Sequence, residues 1–181
     1  MKLIPLSLPG ALLVEPAVHG DQRGFFMETY HREKFRKLGI DCEFVQDNHS
    51  LSVEAGVLRG LHYQLPPKAQ AKLVRVTAGA VYDVIVDLRE SSPTFGRWES
   101  VVLSAANRRQ FFVPRGFAHG FCTLVPNTEV LYKVDDYYSP EHERGIRWDD
   151  PDLAIPWPVS HPVLSEKDKQ NPPLQEAERF D

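Results

Sequence analysis

Lys72-Leu73-Val74-Arg75-Val76-Thr77-Ala78-Gly79-Ala80-Val81-Tyr82-Asp83-Val84-Ile85-Val86-Asp87-Leu88 is the stretch on which the fold turns. Two runs rich in β-branched residues flank one glycine. Such residues favour strands, and Gly79 marks a tight connection between the two, Lys72–Ala78 and Ala80–Leu88. Strand patterns continue on both sides: Leu12–Pro16, Gly24–Thr29, Glu43–Ser52, Val57–Gln64, Trp98–Leu103, Gln110–Val113, Gly120–Leu124 and Thr128–Val134. Helical signals are few. His31–Leu38 reads as a helix with Thr29 as N-cap and Gly39 as its stop. Ser139-Pro140-Glu141 reads as the start of a short helix ending at Gly145, and Ser165-Glu166-Lys167-Asp168 as another helix start. Pro151, Pro156, Pro158 and Pro162 force the segment from Trp148 to Pro162 to be extended, wrapping the surface. Many short strands with minor helices predict a mainly β, antiparallel sandwich or barrel.

The chain has 181 residues, 42% of them hydrophobic and 25% charged, which suits one globular domain over residues 1–181. A net charge of -4 offers no footprint for nucleic acid. No run approaches the roughly 20 apolar residues of a membrane span, so no membrane partner is expected. Pro5 and Pro9 interrupt the apolar N-terminus and Glu15 follows soon after, unlike a signal peptide. The expected location is cytoplasmic. Cys42 and Cys122 form no C-x-x-C pair and read as buried thiols.

Four groups of residues could carry chemistry. In Val57–Gln64, Leu58, Gly60, His62 and Gln64 fall on one face of a strand. An imidazole projecting into a pocket is a candidate general base; a satisfied core histidine is the commoner outcome for one segment taken alone. Gln46, Asn48 and Ser50 line one strand face, as suits either a wet pocket for a polyhydroxylated ligand or a solvated edge. Lys72 opens a face it shares with Val74 and Val76. There it could snorkel to solvent or present a cation to a carbonyl that becomes an enolate. Tyr132 lies between Val130 and Val134 on one face, where core packing competes with an acid–base role. Arg23, Phe26 and Glu28 offer a phosphate fork, an aromatic face and a carboxylate, or else an ordinary surface hairpin.

These groups together carry a resemblance. Gly56-x-x-Arg59-Gly60-x-His62 followed by Pro114-x-Gly116-x-x-His119 resembles the two half-motifs of the cupin barrel, a jelly roll. Metal-binding cupins carry His-x-His in the first; Gln64 stands where the second histidine would be, so no catalytic metal is expected. Within the cupins the chain resembles the dTDP-4-dehydrorhamnose 3,5-epimerase family. The resemblance runs from Arg23-Gly24-x-Phe26-x-Glu28, through Gln46-x-Asn48-x-Ser50, Leu58–Gln64, Lys72–Val76, Asp87-Leu88-Arg89, Ser92-Pro93-Thr94-Phe95-Gly96, Pro114–Phe121 and Tyr132-Lys133, to Leu164-Ser165-x-Lys167-Asp168.

The resemblance implies a dTDP-keto-deoxysugar as substrate, epimerised at C3 and C5 with no cofactor, by a homodimer. It implies His62 as base, Asp168 as its carboxylate partner, Tyr132 as acid and Lys72 as donor to the enolate oxygen. Ser165-x-x-Asp168 also reads as a helix capping box, and that reading stays open. Arg23 and Arg59 would grip the diphosphate. Glu28, Gln46 and Asn48 would meet the thymidine, Tyr138 would stack on the base and Phe26 would line the slot. His119 would touch sugar or phosphate, and Glu143 and Lys167 would close the pocket. The rivals are an epimerase acting at one carbon only and a cupin that binds a nucleotide sugar without turning it over.

Overall fold

The structure is a computed structural model covering Met1–Asp181. Its strands are β1 (Lys2–Pro5), β2 (Leu12–Glu15), β3 (Val18–Asp21), β4 (Gly24–Met27), β5 (Gln46–Ser52), β6 (Leu58–Gln64), β7 (Lys72–Ala78), β8 (Ala80–Asp87), β9 (Trp98–Ser104), β10 (Gln110–Val113), β11 (Phe117–Thr123), β12 (Thr128–Val134) and β13 (Glu143–Gly145). Two short helices, α1 (Arg32–Lys37) and α2 (Glu166–Lys169), complete it together with a single 3-10 turn. One sheet has the order β1-β2-β10-β7-β12-β5 and faces a second of order β13-β6-β11-β8-β9. All strand pairings within them are antiparallel. The antiparallel architecture is the one expected from the strand pattern, and its jelly-roll form is the one the cupin resemblance implied.

Gly79 is where the chain changes sheets. β7 pairs with β10 and β12, whereas β8 pairs with β11 and β9. The turn needs a positive φ, which glycine adopts at low cost (Gly79, φ +75°). The two strands then face each other across a common core. Val74, Val76, Phe111 and Val130 of the first sheet pack on Val81, Ile85, Phe117 and Phe121 of the second. Fully burying such side chains contributes about 1.5–3 kcal/mol each before entropy is counted.

Both sheets are covered outside as well. Phe35 of α1 and Ile40 pack with Val14 and Leu73 on the first sheet. Ile146, Leu153, Ile155, Leu174 and Phe180 pack on the outward side of the second, against Leu61, Tyr63, Val84 and Val86. Strands β8 and β11 thus contribute apolar side chains to both faces, which explains the nearly continuous Val81–Val86 run. The proline-rich segment after Trp148 is the extended cover that its sequence demanded.

Five local expectations need correction. Residues 139–145 form no helix: β13 pairs with β6 there, and tertiary pairing outweighs the Ser139-Pro140-Glu141 helix signal. α1 is capped by His31 rather than Thr29, without a side-chain cap. The strand placed at Gly120–Leu124 begins at Phe117. The polar, exposed β3, which has no apolar alternation to mark it, pairs with β4 in a separate two-stranded hairpin.

The fifth correction bears on the site. In β6, His62 lies opposite His119 but Arg59 lies opposite Phe121, so three steps on one strand match two on the other. The extra residue is a β-bulge, and it reverses the alternation. Arg59, His62 and Gln64 therefore share the inner face, not Leu58, Gly60, His62 and Gln64. Gly60 makes this crossing feasible: with φ +128°, a Cβ there would lie 2.5 Å from Gly120 Cα. No helix is long and apolar enough to cross a membrane, and both cysteines are free thiols.

Candidate active site

The inner space of the barrel is divided. One end holds the apolar core; the other opens as a cavity of about 500 Å³ lined by both sheets and by α2. β6 delivers Arg59 and His62, β7 Lys72, β11 His119, β12 Tyr132, and α2 Lys167 and Asp168. An adjoining lobe adds Gln46, Asn48 and Gln64.

His62 Nε2 lies 2.5 Å from Asp168 Oδ1. Asp168 is 4% exposed. Burial alone would raise its carboxyl, but the His62 hydrogen bond and charge, with Ser165 and the Gly60 amide, bring it below the ordinary value. Asp168 is then the anionic acceptor, so the proton sits on Nε2 and the lone pair on Nδ1. That is the tautomer a base needs, with an anion ready to stabilise the imidazolium. The capping reading holds too: Ser165 Oγ accepts from the Asp168 amide at 3.1 Å. The cap uses the backbone, which leaves the carboxylate free for His62.

Tyr132 comes from the opposite sheet, in register with Val74 and Asn48. Burial raises its phenol, Glu143 adds to the shift and Arg59 opposes it. The hydroxyl stays protonated at neutral pH, as a proton donor must. Lys72 opens β7 in the same sheet as Tyr132 and is 8% exposed. Burial lowers its ammonium to about 8, while Asp83 and Glu143 oppose the fall. His119 Nε2 lies 2.9 Å from Asp83 Oδ1, both side chains buried.

A second network closes the mouth. Tyr138 Oη donates to Glu143 Oε2 at 2.6 Å, and Lys167 Nζ pairs with the same oxygen. Burial raises the Glu143 carboxyl, but these two donors hold it below the ordinary value. Tyr138 is 52% exposed, with its ring free to stack. Gln64, at the position of the missing histidine, holds this loop. Its amide donates to Lys68 O and Tyr137 O at 2.6 and 3.3 Å, and its Oε1 accepts from Ser139 N at 2.9 Å. Gln46 Oε1 accepts from Tyr138 N at 3.1 Å, and its amide reaches Asn48 Oδ1 at 3.0 Å. Arg59 is steadied by Ser52 Oγ and Leu51 O at 3.3 and 3.2 Å.

Three sequence-derived residues lie elsewhere in the chain. Arg23, Phe26 and Glu28 belong to the β3–β4 hairpin and its exit. Arg23 forks onto Asp21, Glu28 meets Lys34 at 2.8 Å, and Phe26 is 71% exposed. Sequence reading also passed over Asp83, Phe121 and the positioning role of Gln64. The signals for Asp83 and Gln64 were a charge in an apolar row and an amide at the end of a buried strand. His62 and His119 are cross-strand neighbours, but each is tied to its own carboxylate. No three His, Cys, Asp or Glu side chains group as metal ligands.

A paired imidazole base, an opposed phenol and a buried cation are the parts needed to move protons at carbon beside a carbonyl. Such an arrangement can carry out acid–base chemistry at that carbon. The family model described as dTDP-4-dehydrorhamnose 3,5-epimerase matches residues 5–176. The enzyme of that name from Shigella flexneri is 52% identical over 181 residues, covering 99% of each chain. The crystal structure of the Bacillus anthracis enzyme, with TDP and pyrophosphate bound, superposes with a TM-score of 0.94 at 57% identity, covering 95% of this chain and 98% of that one. A Legionella pneumophila structure in complex with dTDP-4-keto-L-rhamnose gives 0.93 at 47% identity, covering 98% and 94%. The chain belongs to the dTDP-4-dehydrorhamnose 3,5-epimerase family.

Asp168→Asn keeps the backbone amide that Ser165 caps and removes the anion facing His62. We expect kcat to fall by about 10²–10⁴. The Asp168 carboxyl is depressed in the folded state, so its stabilisation is present at neutral pH and is lost as pH falls through that depressed value. Urea unfolding should therefore show the variant less stable at pH 7, with the gap closing below about pH 4. Unchanged kcat would remove Asp168 from the mechanism.

Proposed function

We infer that this chain inverts C3 and C5 of dTDP-4-dehydro-6-deoxy-D-glucose to give dTDP-4-dehydro-L-rhamnose. The observation that carries this is the His62–Asp168 pair facing Tyr132 from the opposite sheet across one cavity. The C4 ketone acidifies the hydrogens at C3 and C5. His62 Nδ1 takes one of them, and the bonding pair moves into the ring to form an enolate with its charge on the C4 oxygen. Lys72 donates to that oxygen. Tyr132 then delivers a proton to the opposite face, which inverts the centre. Exchange with solvent returns the proton from His62 and restores the phenol before the second centre reacts.

At the nucleotide end, Arg59 binds the diphosphate as a bidentate donor, Gln46 and Asn48 meet the thymidine, and Tyr138 stacks on thymine. His119 contacts the sugar–phosphate junction, and Glu143 with Lys167 closes the mouth. Arg23, Phe26 and Glu28 complete the nucleotide site from a second copy in a homodimer. What supports this is their position: they sit on a hairpin paired only with itself, carrying Phe25 at 55% and Phe26 at 71% exposure, and none of the three lines this chain's own cavity.

The turnover test is NMR identification of the product, with rates from a coupled reductase. Wild type should give the L-rhamno ketone inverted at both centres. Lys72→Ala should lose about 10²–10³ in kcat, and Tyr132→Phe about 10²–10⁴ in net inversion. A product inverted at one centre only would replace the double epimerase with a single-site one. For the dimer, Arg23→Ala and His62→Ala proteins, each inactive, should recover activity on mixing because one composite site becomes whole. No recovery after subunit exchange would overturn the shared site.

A further inference from the structure

β8 presents Val81, Asp83 and Ile85 to the inside of the barrel, and the two apolar members belong to the core there. Asp83 is the exception, and it is fully buried. A carboxylate in such surroundings is costly unless its oxygens are partnered. Only one is: Oδ1 lies 2.9 Å from His119 Nε2. Oδ2 is buried with no hydrogen-bond partner. A lone buried acceptor of this kind in a folded protein calls for a reason.

The complementary group is Lys72. It is buried on the inner face of the opposite sheet and lines the same cavity as His119. The two acids lining that cavity are engaged elsewhere, Asp168 by His62 and Glu143 by Lys167, and Asp83, which does not line it, is bonded to His119, which does. Lys72 therefore has no ion-pair partner in contact.

We propose that Asp83 is the positioning residue of the epimerase site: its Oδ1 fixes the His119 ring, and its unpaired Oδ2 is the counter-charge that keeps the Lys72 ammonium protonated and in place beside the sugar carbonyl. This rests on the reading of Lys72 as donor to the C4 oxygen. A fully paired carboxylate would hold Lys72 in an ion pair and withdraw it from the substrate. One that is near but out of contact supplies charge and leaves the ammonium hydrogens for the enolate.

The charged and titratable groups lining the cavity with Lys72 are Arg59 and His62 from β6, His119 from β11, Tyr132 from β12, Tyr138, Glu143 from β13, and Lys167 and Asp168 from α2, and Asp83 from β8 is hydrogen-bonded to His119. Burial sets the Lys72 ammonium near 8, with Asp83 the leading charge that raises it and Glu143 the next. Glu143 is already shared by Lys167 and Tyr138. Loss of the Asp83 charge should therefore let Lys72 deprotonate at lower pH, and activity should fail earlier on the alkaline side.

The test is kcat and KM against pH, from about 6 to 10, for the full-length wild type, Asp83→Asn, Lys72→Arg and the double variant. Wild type should show an alkaline limb in kcat near 8. Asp83→Asn should move that limb down by about one unit, lowering kcat about tenfold above it, with KM changed less than about twofold. Lys72→Arg should abolish the limb, because a guanidinium keeps its charge, and on that background Asp83→Asn should shift nothing. A folded Asp83→Asn protein whose limb stays at the wild-type pH overturns the role of Asp83 and leaves that of Lys72 standing. A wild-type limb untouched by Lys72→Arg overturns both. Should Asp83→Asn not fold, Asp83→Ala removes the same charge and is read in the same way.

Discussion

The contact between His62 and Asp168 joins residues 106 apart in sequence, and the layout of the C-terminal third follows from it. α2 has only four residues and no stability of its own. It is held where it can reach β6 by the chain around it. Val163 exchanges backbone hydrogen bonds with Gly56 and Leu58, Arg147 N donates to Pro172 O, and Leu174 N donates to Asp150 Oδ2. The apolar side chains of the same segment cover the outer face of the second sheet. One wrapping segment thus completes the core and brings the Asp168 carboxylate to His62.

The barrel interior is built from two kinds of surface. Apolar residues of facing sheets fill one end at close packing. At the other end the same strands place His62, Lys72, His119 and Tyr132, at positions whose alternation is that of the core. Lys72 and His119 are buried there, while His62 and Tyr132 stay partly open to the cavity. Burial raises the Tyr132 phenol and lowers the Lys72 ammonium. The phenol is thereby kept protonated at neutral pH, and the ammonium is made the readier hydrogen-bond donor.

Much of this was legible because strand periodicity is local. Lys72, Val74 and Val76, and Gln46, Asn48 and Ser50, fall on single faces as the alternation required. The β6 face was misread because alternation counts residues, and a bulge adds one without a composition signal beyond Gly60. The helix expected before Gly145 lost to strand pairing with β6, which no local propensity encodes. Asp168 was ambiguous for a real reason: its amide is capped by Ser165 while its carboxylate serves His62. Arg23, Phe26 and Glu28 could be recognised by motif, but nothing local says that a hairpin stands clear of its own cavity. Asp83 was hidden in a strand where every neighbour is apolar.

The central claim is that His62 takes protons from both carbons flanking the sugar ketone. Proton NMR of dTDP-4-dehydro-6-deoxy-D-glucose in D₂O, with no reductase present, tests it directly. The account predicts deuterium at C3 and C5 with the wild-type protein and at neither with His62→Ala. Exchange in His62→Ala at the wild-type rate would contradict it and place the base elsewhere in the cavity.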